Sequence, residues 1–237
     1  LGANRPLVER DLIPTTWREN GVGVHGELGR GLSYRLYLMA GLDGSKFTKG
    51  GIKDGRQHGA KSVAESLSLA GRLDWNPLPG TILGVSFFSG NSQQGDNLPD
   101  LQTRLLDFHG EVRWQGWQAR ALVVRTTVDG GGLPATGSLR EVGTTQKGNY
   151  LEVGYDVLSG SGSRQALIPF VRQERVERQA EVNAGVIKDQ ALSERILTAG
   201  LVYKPIPQVA VKADFNRIKN DARTGRNQFS LALGYYF

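Results

Sequence analysis

Large and small positions alternate along this chain with a period of two. From Gln228 to Phe237 the large side chains Phe229, Leu231, Leu233, Tyr235 and Phe237 fall on one set of alternate positions. Gln228, Ser230, Ala232 and Gly234 fall on the other, where Tyr236 is the one large residue. Successive side chains of a strand point to opposite faces, so this period specifies a strand; a helix would scatter the five large residues around its circumference. The same alternation runs through Val22–Leu28, Leu32–Met39, Leu67–Trp75, Leu106–Trp114, Leu151–Val157 and Val209–Asn216, and more weakly near 81–90, 117–128, 165–176 and 195–204. Eleven strands are predicted, most of about 8–12 residues.

The connections alternate between two sizes. Short ones, Gly29–Gly31, Asn76–Gly80, Gln115–Gly116, Ser159–Arg164 and Pro205–Gln208, carry the Gly, Pro and Ser that tight turns require. Long ones lie near 43–65, 90–101, 129–147, 178–193 and 220–227. Short turns at one end and long loops at the other describe an all-β, up-and-down antiparallel barrel, a transmembrane type whose short turns are periplasmic and long loops extracellular. The last strand then descends to the periplasmic end, and so does Val22–Leu28. Residues 1–20 form an extracellular-side entry segment and residues 21–237 the barrel. Single-chain bacterial barrels have even strand numbers. Eleven strands with an extracellular start therefore predict missing upstream strands, in a larger barrel of about 16. A twelfth strand over Leu7–Trp17 is disfavoured by Pro6, Pro14 and the charged run Glu9-Arg10-Asp11.

Composition sharpens the picture. The chain has 237 residues, 39% apolar and 22% charged, with 32 Gly, no Cys and a formal charge of +6. No stretch approaches the ~18–20 apolar residues of a transmembrane helix, and the lack of Cys excludes disulfide-stapled and Cys-ligated metal folds. A transmembrane barrel is compatible, because its alternating strands average to modest hydrophobicity.

The charges of the strands collect on the polar face. They are Arg35, Arg72, Arg113, Arg120, Arg172, Lys204 and Lys212 against Glu27, Asp74, Asp107, Glu111, Glu152, Asp156, Glu174 and Asp214, seven cations and eight anions. In a membrane barrel this face lines the lumen, making these fifteen residues the selectivity candidates. A soluble sandwich or lipocalin-like binder would present the same face to water. The aromatics Trp75, Trp114, Trp117, Tyr155 and Tyr203 favour the membrane reading. They end apolar faces at the short-turn end, as an interfacial girdle does. The net positive charge belongs to the loops: Lys46, Lys49, Lys53, Arg56 and Lys61 in one, and Arg217, Lys219, Arg223 and Arg226 around another. These would be solvated, attract anions to the mouth, or touch lipopolysaccharide.

The ending Leu233-Gly234-Tyr235-Tyr236-Phe237 resembles the C-terminal signature of Gram-negative outer-membrane barrels. Leu233, Tyr235 and Phe237 would then signal to the barrel-assembly machinery. The stretch from Arg5 to Glu19, followed by Gly21-Val22-Gly23-Val24 and Leu32-Ser33-Tyr34-Arg35-Leu36-Tyr37, resembles porin-like outer-membrane proteins related to the phosphate-selective porin superfamily. In those proteins this segment lies in mid-chain, after several strands and a plug-like loop. The near balance of lumenal charge departs from the ladder of cations that phosphate selectivity requires.

Enzymatic signals are poor. His25-Gly26-Glu27 and His109-Gly110-Glu111 each put two potential ligands on one strand face, without an identifiable third. Gly130-Gly131-Gly132 has no following helix to hold a phosphate. No catalysis and no cofactor are expected. The expected function is an outer-membrane porin, passing small hydrophilic or ionic solutes. The alternatives are a plugged or narrow barrel with a structural, adhesin or assembly role, and the soluble binder. Expected partners are outer-membrane lipid and lipopolysaccharide, the assembly machinery, small polar solutes and, by analogy with porins, two further copies in a homotrimer. Nucleic acid is not expected, since no recognised motif accompanies the charge.

Overall fold

A computed structural model describes residues 1–13, 17–95, 100–134 and 137–236. It contains one short helix, α1 (Leu7–Asp11), and eleven strands: β1 (Gly21–Gly29), β2 (Leu32–Ala40), β3 (Leu67–Trp75), β4 (Thr81–Asn91), β5 (Gln102–Trp114), β6 (Trp117–Val128), β7 (Thr145–Tyr155), β8 (Ala166–Glu181), β9 (Ser193–Ile206), β10 (Val209–Asn220) and β11 (Arg226–Tyr235). Each strand pairs antiparallel with the next, giving one sheet in the order β1 to β11. Among the described residues β1 pairs only with β2 and β11 only with β10. All eleven predicted strands are present. The predicted short connections are hairpins, such as the two-residue turn at Gln115–Gly116 that sets Trp114 opposite Trp117.

Burial decides what each face meets. The apolar set is exposed: Val22, Leu38, Leu106, Phe108, Val123, Leu151, Val171, Leu197, Phe215, Phe229, Leu231 and Leu233 all lie uncovered. On the opposite face Glu152, Arg172, Glu174 and Asp214 are 1–3% exposed. A water-soluble sheet would bury the first set and solvate the second. An apolar face continuous over so many strands needs a nonpolar surrounding. The sheet is inside-out relative to a soluble fold, the arrangement of a membrane barrel.

The interior is not empty. Residues 1–13 run along the inner face, from beside β7 and β10 near the short turns up to β8 near the long loops, so the expected extracellular entry segment is largely an internal one. Leu7–Asp11 is helical, which rules out a strand there; Pro14, within the proposed twelfth strand, lies outside the described residues. Val8 and Leu12 of this segment pack with Leu42, Phe47 and Ile52 of the β2–β3 loop against inward Leu105, Leu122, Val124 and Val176. Full burial of such side chains stabilises by about 1.5–3 kcal/mol each.

Gly148 on β7 makes room for this packing. A Cβ there would stand 2.5 Å from Leu12 Cδ1 and 3.2 Å from Val8 Cγ1. Gly148→Val is therefore expected to destabilise the docked segment by about 1–3 kcal/mol through overpacking. Limited proteolysis should then cut residues 1–13 faster, while the β-sheet circular-dichroism signal in detergent is retained.

Candidate functional site on the inner wall

The inner wall divides into a half that holds the N-terminal segment and a half that is open. On the closed half, Arg172 of β8 donates from Nη1 to Glu152 Oε2 at 3.2 Å and from Nε to Glu174 Oε1 at 2.8 Å. It also donates to the Asn4 carbonyl at 3.2 Å. The Leu7 amide donates to Glu174 Oε2 at 2.5 Å, and the Ala3 amide to Asp214 Oδ2 at 2.6 Å. Tyr150 donates to Glu9 at 2.6 Å. Higher on β8, Arg178 bonds Asp11 through two nitrogens and Glu194 at 2.7 Å, while Lys53 approaches Asp11 at 3.1 Å. Charges this buried persist only when paired and hydrogen-bonded. Burial pushes the Asp11 carboxyl up, but Arg178 and then Lys53 outweigh it and hold the group below the ordinary aspartate range.

On the open half a cavity of about 690 Å³ lies between the segment, at Glu9, Ile13 and Trp17, and the wall from β2 to β7. The strand register arranges its polar groups in rows. One row reads His25, Arg35, Arg72, Ser86, Asp107 across β1 to β5. The next, towards the long loops, reads Tyr37, Ala70, Phe88, Leu105, and Trp17 packs against Phe88 in a tilted pair with ring centres 4.9 Å apart. The next towards the short turns carries Asp74, Gly84 and His109. His109 reaches across Gly84, with Nε2 3.0 Å from Asp74 and Nδ1 2.7 Å from Asp107. Arg72 donates to Asp74 at 2.6 Å. Arg120 lies 3.4 Å from Glu152 and 3.8 Å from Glu9, with its guanidinium 5.8 Å from the Tyr150 ring centre. Arg35 is exposed to the cavity and makes no ion pair among the described residues.

The fifteen charged candidates thus separate. Arg35, Arg72, Arg120, Asp107 and Glu111 line the open cavity, with Asp74 tied to two of its lining groups. Arg113, Lys204 and Lys212 border a smaller space of about 180 Å³ beside Leu1; Arg113 bonds Glu111 at 2.6 Å and Lys212 donates to the Gly2 carbonyl at 3.2 Å. Glu152, Arg172, Glu174 and Asp214 are taken up in docking the segment. Glu27 is exposed on β1. Asp156 departs from the expected wall: it lies beyond the end of β7, and its carboxylate accepts from the Leu158 and Leu167 amides, capping the turn.

The His-x-Glu pairings do not form. His109 is held by two aspartates, and Glu111 faces Arg113. The loop cations also differ from a free basic mouth. Lys46 meets Asp43, Lys49 meets Asp189, each at 2.9 Å, and Lys53 meets Asp11. Lys49 holds the Asp189 carboxyl below its usual range.

Trp75, Trp114, Trp117 and Tyr203 point outward at the short-turn end, and Tyr155 packs tilted against Trp117 with ring centres 4.9 Å apart. Leu233 and Tyr235 are exposed on the outer face of β11; Phe237 lies outside the described residues. Sequence reasoning missed Glu9, Asp11, Trp17, Tyr150 and Arg178. Its available signal was apolar residues at lumenal positions, such as Leu105, Leu122 and Val176, which needed an apolar partner inside.

The sheet has the fold of outer-membrane porins. The chain superposes on the outer membrane channel DcaP of Acinetobacter baumannii with a TM-score of 0.56 at 13% identity, covering 94% of this chain and 63% of that one. It superposes on an anion-selective porin from Comamonas acidovorans with a TM-score of 0.53 at 11% identity, covering 91% and 58%. A further porin gives 0.54 at 10% identity, covering 92% and 61%. By sequence the chain is 30% identical to an uncharacterized protein of Aquifex aeolicus (strain VF5), matching over 99% of its own length. It spans 56% of that relative. No family model matches the chain.

Because the Asp11 carboxyl titrates below its ordinary value, its contribution is fully present above about pH 4 and is lost only as the pH falls further. Asp11→Asn leaves Arg178 with Glu194 alone and should cost about 2 kcal/mol of docking. Hydrogen–deuterium exchange at Leu7–Asp11 is expected to rise in the variant at neutral pH, and in the parent chain only on strong acidification.

Proposed function

We propose that this chain forms the wall and internal constriction of a porin in the outer membrane of a Gram-negative bacterium, passing small hydrophilic or ionic solutes passively. The observation that carries this reading is the open cavity between Glu9, Ile13 and Trp17 and strands β2–β7, inside a sheet whose outer face is apolar. Solutes would follow that half of the lumen, since the other half is occupied by the docked segment. Their selectivity would be set by Arg35, Arg72 and Arg120 against Glu9, Asp107 and Glu111, with Arg35 the cation least neutralised. No bond-making step is part of the function. The outer face of β11 would engage the assembly machinery, and trimers would follow porin practice.

The apolar cluster around Val8, Leu12, Phe47 and Ile52 also favours a second reading, a barrel too narrow for solutes that serves a structural role.

Planar-bilayer recording of the full-length chain should show stepwise conductance. Arg35→Glu should shift the zero-current potential in a salt gradient towards cations, and Arg178→Met, which loosens the segment, should raise single-channel conductance. Insertion without conductance in any of these proteins, together with no swelling of liposomes in small sugars, selects the structural reading.

A further inference from the structure

The outer face carries a second pattern at the long-loop end. On β5 to β10 each outward apolar run is followed by a cation: Arg104 above Leu106, Arg125 above Val123, Lys147 above Leu151 with Asn149 between them, Arg175 above Val171 with Gln173 between them, Arg195 above Leu197, and Lys219 with Arg217 above Phe215. All are exposed. The register sets three pairs of like charges directly opposite one another, Arg125 with Lys147, Arg175 with Arg195, and Arg195 with Lys219, while Lys147 also stands opposite Glu177. Directly opposed like charges destabilise a sheet, so a repeated row of them needs a neutralising anion.

Protein carboxylates supply part of it. Arg175 bonds Glu177 at 2.5 Å, Arg195 bonds Asp221 at 3.2 Å, and Lys147 lies 3.9 Å from Glu181. Seven cations against three acids leave an excess of four, and Arg104, Arg125, Arg217 and Lys219 make no ion pair among the described residues. At the short-turn end the outward positions of the same strands are Trp114, Trp117, Tyr155, Leu167, Tyr203 and Val209, without charge. The cation band is therefore confined to one rim of the apolar belt, where lipid headgroups would lie.

We propose that this rim binds the phosphorylated glycolipid of the outer leaflet, with phosphate groups bridging the opposed cations and acyl chains lying on the apolar residues beneath. The inference rests on the outer-membrane reading for its orientation, and it is tested without conductance. Guanidinium groups suit the task, since they pair phosphate oxygens bidentately.

The test is native mass spectrometry of the full-length chain in neutral detergent, titrated with diphosphorylated lipid A, with dephosphorylated lipid A and with inorganic phosphate. Diphosphorylated lipid A should be retained and the dephosphorylated form bound at least tenfold more weakly. Inorganic phosphate should not displace the lipid at equal concentration. Affinity should fall roughly fivefold for each cation removed in Arg175→Gln and Arg195→Gln, and stay unchanged in Arg164→Gln, which lies in a short turn. A merely structural role is separated by stability. In neutral detergent Arg195→Gln should leave the unfolding midpoint unchanged or raise it, because a repulsion is removed; lipid A should raise the midpoint less in the variant than in the parent. Binding indifferent to phosphate, equal competition by inorganic phosphate, or full affinity in the Arg175/Arg195 double variant overturns the proposal. Conducting channels with no lipid A affinity would overturn it alone, whereas lipid A binding without conductance would overturn only the channel reading.

Discussion

The structure depends on one constraint: a sheet that turns its apolar side chains outward must satisfy its polar ones inward. Strand pairing closes the backbone hydrogen bonds, as a nonpolar surrounding demands. The side chains of the other face still need partners. On β7, β8 and β10 those partners come largely from the chain's own residues 1–13. Glu174 takes a backbone amide, Asp214 another, and Arg172 joins two carboxylates and a carbonyl. From β2 to β6 the segment stands partly off the wall, and groups such as Arg72, Asp74, Asp107 and His109 pair among themselves beside open space.

That division gives the interior a direction. One wall is filled by a segment bound through buried charge pairs, which are geometrically demanding, and through an apolar cluster, which is not. The filled wall fixes where the remaining cavity lies, and the cavity inherits a lining of arginines, carboxylates and the Trp17–Phe88 pair. The docking network therefore shapes the cavity, and through Glu9 and Tyr150 it also supplies part of its lining.

The strands were legible because their outer side chains meet a nonpolar medium, which enforces strict parity in segments such as Phe229–Tyr235. Parity fades where the strands rise past that medium. β8 continues to Glu181, several residues beyond the alternation seen near 165–176, because Gln173, Arg175 and Glu177 make its outer face as polar as its inner one. Leu7–Asp11 was unreadable for a different reason: five residues are too few to display helical periodicity. The fate of each inner charge was also hidden. Glu152 and Glu111 occupy equivalent positions by parity, and only the path of residues 1–13 makes one a docking group and the other part of a cavity. The partners of Lys49 and Lys53, Asp189 and Asp11, are remote in sequence, so the loop looked like free positive charge.

The separation between the docked segment and its anchors has a consequence for assembly. Ala3 bonds Asp214, 211 positions later, and Leu7 bonds Glu174, 167 positions later. These residues leave the ribosome long before their partners exist, and they cannot settle until β7, β8 and β10 stand side by side. The earliest-made part of this chain is thus among the last to find its place, and its arrival marks completion of the wall behind it. Until then Arg172 has Glu152 and Glu174, while the Glu174 oxygen that will accept the Leu7 amide and the Asp214 oxygen that will accept the Ala3 amide have only water.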